Sequence, residues 1–219
     1  MQHQLKHYLH LLVAEQSALA GRIAISAQND TVSSLGPCDL SVLTNQILHR
    51  LDCAAVIVAE PLQPFVFFLL RRSIPDKTSL VPRDSESLSS LHDIPLIRRQ
   101  SSQTELLNEI CAALHKRKGC IVDGIGIVSQ ASLTVEQAYI TWTSLLHAST
   151  IKYFDDLLSV GPLLHEEKNL IRNYNLYFKP LTMQKLMFHT THSTQPQSCV
   201  DQMCLAGKAT VQMGLVDSF

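Results

Sequence analysis

Two capping boxes constrain the fold of this chain more than any other feature. They are Ser102-Gln103-Thr104-Glu105 and Thr134-Val135-Glu136-Gln137. In such a box a hydroxyl accepts from the backbone N–H three residues on, and the Glu or Gln side chain reaches back, so each box marks the start of a helix. After the first, Leu106, Leu107, Ile110, Ala113 and Leu114 share one helical face as far as His115. After the second, Ala138, Tyr139, Trp142, Leu145, Leu146 and Tyr153 do the same over a longer run. Between the two lies Gly119-Cys120-Ile121-Val122, a short apolar run that predicts a buried strand entering Asp123-Gly124-Ile125-Gly126 and continuing through Ile127-Val128. Helix, strand and helix in that order predict an α/β domain, a layered central mixed or antiparallel sheet flanked by helices.

The first half of the chain repeats this alternation. Leu5, Leu9, Leu12, Val13 and Leu19 predict an amphipathic helix over 4–19 with Gly21 as its stop. Ile23-Ala24-Ile25 running into Asn29-Asp30 predicts a short hairpin. Pro37 begins a helix through Val42, Leu43, Ile47, Leu48 and Leu51, and Cys53 to Val58 follows as a buried strand. The Ser-, Pro- and charge-rich stretch 71–100 has the composition of a loop. Pro162 starts a last helical segment through Tyr174, and Gln195-Pro196-Gln197-Ser198 divides a domain over 1–195 from a tail over 196–219.

A chain of 219 residues suits one domain with a tail. Its 18 Lys and Arg against 19 Asp and Glu provide no basic excess for nucleic-acid binding. The most apolar stretch, 54–70, is broken by Glu60, Pro61, Gln63 and Pro64 and is too interrupted to span a membrane. Six cysteines without a CxxC pair, and an N-terminus without a clean apolar core and cleavage site, lead us to expect reduced thiols in a cytoplasmic protein. His189 and His192 are spaced for one helical face but have no acidic third ligand nearby, and His3, His7 and His10 read as a solvated face.

The order of elements, with GRIAISAQND, GPCDLSVLTNQILHRLDCAAVIVAEP and CIVDGIGIVSQASLTVEQAYITWTSLLHAS, resembles the class II aldolase and adducin head-domain family over roughly residues 5 to 160. The strongest likeness is in Thr134-Val135-Glu136-Gln137-Ala138-Tyr139 and in the segment ending LDCAAVIV. The resemblance implies a homo-oligomer, a tetramer with active sites near subunit interfaces, and a divalent metal held by three histidines. This chain departs from that pattern. An ungapped match puts Val58 and Glu60 at the His-x-His pair and Ile125 or Gly126 at the third histidine, so no metal and no cofactor are expected.

The same match puts Asp39 at the family's acid/base glutamate, and Gly21-Arg22-Ile23-Ala24 at its phosphate turn with the glycine kept. Asp39 is thus a candidate base, against a reading as a helix N-terminal carboxylate. Glu60 ends a buried strand, where α/β proteins place ligands, or is a solvated turn residue. Asp123 is a candidate partner acid or a turn-forming aspartate. Arg22, Gly21 and Gly124 complete the expected substrate contacts, and the apolar stretch 62–70 is expected to line a pocket. The expected function is metal-independent acid/base chemistry on a small carbonyl or enol compound, with no nucleic-acid or membrane partner. The alternative is a non-catalytic, adducin-like interaction protein.

Overall fold

The computed structural model describes residues 1–73, 78–99 and 102–173. The chain divides into two compact units, residues 1–153 and a second beginning at Phe154. In the first unit, helix α1 (Gln2–Ala14) leads into a hairpin of β1 (Ala18–Gln28) and β2 (Val32–Leu35). Helix α2 (Cys38–Leu51) then returns the chain to β3 (Ala55–Pro61) and helix α3 (Phe65–Ser73). Next come β4 (Ser79–Leu80), α4 (Ser85–Leu91), β5 (Ile94–Ile97) and α5 (Gln103–Lys116). Strands β6 (Gly119–Val122) and β7 (Gly126–Ala131) precede the long helix α6 (Val135–Val160), which runs across the division between the units.

The seven strands form one sheet in the order β2-β1-β3-β7-β6-β5-β4, antiparallel except for β5 beside β6. This is the mixed sheet that the alternation predicts. Residues 55 to 59 of β3 are entirely buried, because helices cover both faces of the sheet and no strand position can alternate toward water. On one face Leu40, Leu43 and Ile47 of α2 and Leu107, Ile110 and Leu114 of α5 pack with Ala24, Val56, Val58, Val122 and Val128. On the other, the Trp142 indole N–H of α6 donates to the Ile127 carbonyl at 3.2 Å and the Ser129 hydroxyl donates to the Ala138 carbonyl at 2.8 Å. Tyr139 of α6 also meets Tyr8 of α1.

Both boxes cap helices as expected: Ser102 Oγ accepts from Glu105 N at 3.4 Å, and Thr134 Oγ1 from Gln137 N at 3.2 Å. Elsewhere pairing overrides the sequence pattern. The first helix ends at Ala14, not Leu19, because Gln16 takes a left-handed φ of 54° and Ala18 is already paired with Pro61. Gly21 therefore lies inside β1 and stops no helix. Ile127-Val128 does not continue the strand before it. The turn at 123–125, closed by Ile125 N donating to Val122 O at 3.2 Å, reverses the chain into an antiparallel hairpin.

Within 71–100 the described residues hold the end of α3 and all of β4, α4 and β5, where a loop was expected. Asp84 caps α4 by accepting from Ser87 N at 2.7 Å, and Ile94-Pro95-Leu96-Ile97 is long enough only to pair between β4 and β6. Residues 65–73 are helical, with Val66, Leu69 and Leu70 fully buried and Phe65 stacked on Tyr153, so these side chains fill core where a pocket wall was expected.

In the second unit, helix α7 (His165–Asn173) begins three residues after Pro162, where Glu167 Oε2 accepts from the backbone N–H groups of Leu163 and Leu164 at 2.8 and 2.9 Å. Tyr174, His189, His192, Cys199, Cys204 and the boundary at 195–196 lie outside the described residues.

Candidate active site

Three of the residues singled out in the sequence converge at one end of the sheet. Arg22 Nε donates to Glu60 Oε2 at 3.0 Å, and its Nη1 faces Asp39 Oδ2 at 3.4 Å. A single guanidinium thus bridges carboxylates from β3 and α2. The exposures of the side chains separate their roles: Asp39 is 67% exposed, Arg22 35% and Glu60 28%. Asp39 is the outermost of the three, and Glu60 the least exposed.

Local structure delivers each residue. Between the pairs Ala18–Pro61 and Ile23–Ala59, β1 advances five positions while β3 retreats two, so Arg22 stands in a bulge that re-aims it toward Glu60. Gly36, with φ of 134°, lies so close to β1 that a Cβ would come within 2.3 Å of the Ile23 carbonyl oxygen. Only glycine permits that approach, and it sets the first turn of α2, with Asp39, beside Arg22. Gly126 plays the same part on the other side, where a Cβ would meet Ala59 O at 2.4 Å and Glu60 Cα at 2.8 Å. Behind α2, Ser26 and Thr44 hydroxyls meet at 2.6 Å, Ser26 donates to Ser34 at 3.1 Å, and Ser34 donates to Asn45 Oδ1 at 2.6 Å. That buried chain ties α2 to β1 and β2 and fixes the helix that carries Asp39.

Asp123 and Gly124 lie in the β6–β7 turn at the same end of the sheet, and no described contact joins them to the arginine bridge. Asp123 is half-buried, and its backbone N–H donates to Ile97 O at 2.9 Å. Gly124 is exposed with φ of 73°, and a Cβ there would lie 3.5 Å from Arg99 Nη1. Gly21 is exposed, with open space where a Cβ would stand. Sequence reasoning missed the two glycines of close approach, Gly36 as a spacer and Gly126 as a seat for Glu60. The Gly36-Pro37 step before a helix was the available signal.

The residues at the metal positions implied by the resemblance do not fit a metal. Val58 is fully buried among Ala24, Leu40 and Val56, and Ile125 packs against the same cluster, so two positions offer no lone pair. Gly126, the other counterpart of the third histidine, has no side chain to offer and no room for one. Glu60 is engaged by Arg22. Among the described residues, no group of three His, Cys, Asp or Glu is placed to hold a metal ion.

The buried thiols are poor nucleophiles as well. Desolvation pushes Cys53 up to about 11 and also raises Cys111 and Cys120. Cys38, next to Asp39, is the only exposed cysteine among those described.

No helix among the described residues is long and apolar enough to cross a membrane. No family model and no curated protein matches the chain. Solved structures do. An L-fuculose-1-phosphate aldolase from Thermus thermophilus is 18% identical with a TM-score of 0.59, over 73% of this chain and 98% of that one. A second L-fuculose 1-phosphate aldolase is 13% identical with a TM-score of 0.57, over 80% and 96%. An aldolase II superfamily protein from Pseudomonas syringae is 12% identical with a TM-score of 0.54, over 94% and 88%. Identities this low speak for architecture alone, and the architecture they identify is the class II aldolase fold.

Proposed function

We propose that this chain is an aldolase-fold enzyme that handles the carbonyl or enol of a small organic substrate by proton transfer at the Asp39–Arg22–Glu60 bridge. The observation that carries this reading is the bridge itself: one arginine holds two carboxylates from separate elements at the sheet end where the family's chemistry is implied to lie. A non-catalytic scaffold has no need for ionisable groups to converge there.

In this reading the exposed Asp39 carboxylate takes a proton from the carbon next to a substrate carbonyl. The electron pair left behind moves onto the carbonyl oxygen. Arg22 has five N–H donors and spends two on Glu60 and Asp39, so donors remain for the enolate oxygen. Glu60 holds the guanidinium in place, and Asp123 at the neighbouring turn is the candidate acid that returns a proton. Isomerisation, cyclisation, dehydration and carbon–carbon bond steps all share this enolate.

The test is solvent exchange. The full chain is incubated in deuterium oxide with a panel of small keto acids, β-keto esters and aryl ketones, and loss of the acidic C–H signals is followed by proton NMR. The expected result is exchange that survives a chelator and is lost in Asp39→Asn. Exchange that a chelator abolishes, or that Asp39→Asn leaves intact, sinks the proposal.

A further inference from the structure

The opposite end of the sheet carries a second, separate feature. The end of α4, the end of α5 and the close of β7 surround a cavity of about 470 Å³. Its floor is the buried pair Leu91 and Leu114, and its rim carries Lys116, Lys118, His92 and His115. No aspartate or glutamate lines it. Arg117 also reaches it, but its guanidinium is taken by Asp93. Lys116 and Lys118 have no carboxylate partner among the described residues.

A helix macrodipole accounts for cations in the last turn of α5, where His115 and Lys116 stand. The same holds for His92 at the C-cap of α4, but not for Lys118, which lies beyond the α5 helix. Lys116 and Lys118 thus stand at one open hollow of the size that small ligands occupy. A rim with two free lysines and no carboxylate selects a molecule with closely spaced negative charge.

We infer that this hollow binds a phosphorylated small molecule, with Lys116 and Lys118 holding its phosphate groups. The site is distinct from the Arg22 bridge. Lys118 precedes β6 at one end of the sheet, and the β6–β7 turn lies at the other.

Inorganic pyrophosphate is the probe, titrated calorimetrically into the full chain at low ionic strength. Saturable binding with one site per chain is expected. The double variant Lys116→Gln/Lys118→Gln is expected to weaken it by about a hundredfold, a factor of about ten per charge-assisted contact. Both lysines are exposed, so the variant is expected to keep the parent's thermal midpoint, which is checked first. Arg22→Gln is the control and leaves binding unchanged. Absence of saturable binding to the parent overturns the inference. So does binding that survives the lysine variant or is lost in Arg22→Gln.

Discussion

The two ends of the sheet treat charge in opposite ways. At the Arg22 end each charged group of the bridge has an opposite partner, one arginine serving two carboxylates, and backbone approaches at Gly36 and Gly126 lock the elements that carry it. At the Lys118 end Arg117 is paired with Asp93, but Lys116 and Lys118 stand unmatched at an open hollow. The contrast teaches that matched charge held on rigid elements is preorganised to act on a bound molecule, whereas unmatched charge is available to attract one.

The largest effect should come from breaking the lock. Gly126→Val drives a side chain into the Ala59 carbonyl and the Glu60 backbone at a positive φ, and it should cost about 3–5 kcal/mol in urea unfolding from strain and overpacking together. Gly21→Ala has the same kind of backbone but open space, so it should cost only about 1–2 kcal/mol. Equal losses at the two glycines would show that close approach is not what seats Glu60.

Next comes the chemistry. Asp39→Asn should lower turnover about 10²- to 10⁴-fold. Its effect on stability should stay within about 1 kcal/mol, since the pair it breaks is exposed. A large stability loss with little change in turnover would return Asp39 to the role of a helix-start carboxylate.

A smaller effect probes the thiols beneath both ends. Cys53 is held above its ordinary value of 9.0, at about 11, chiefly by desolvation. A raised value means the unfolded chain gives up the proton first as pH climbs. The stability that this group supplies is therefore complete below pH 9 and is lost as pH approaches 11. Urea midpoints measured across that window should fall, and Cys53→Ala should flatten part of the fall. The mildest probe is alkylation by iodoacetamide in the folded chain, which should label Cys38 well before Cys53, Cys111 or Cys120.

Much of this was legible in the sequence for physical reasons. Helices announced by a hydroxyl cap, and the one announced by Pro37, began where expected, because those signals act within one turn, whereas α7 begins three residues after Pro162. Arg22, Asp39 and Glu60 stand out separately along the chain, and the register of β1 against β3 brings them together. What stayed hidden depended on long-range pairing. Leu19 fits a helical face, but the backbone just before it is claimed by β3. The strand at 94–97 is too short to show a period, and the phenylalanines of α3 look like pocket lining until Tyr153 is seen against them. The closeness of Gly36 and Gly126 to neighbouring strands is a property of the packed sheet, invisible along the chain.

The central proposal is that an arginine–carboxylate bridge stands at the end of the sheet where the sequence resemblance implies a metal. Zinc titration of the parent and of Glu60→Gln tests it most directly, with bound zinc read by elemental analysis after dialysis. The account predicts that zinc uptake, at whatever level the full chain shows, is the same in both proteins. One zinc per chain in the parent that disappears in Glu60→Gln would contradict it.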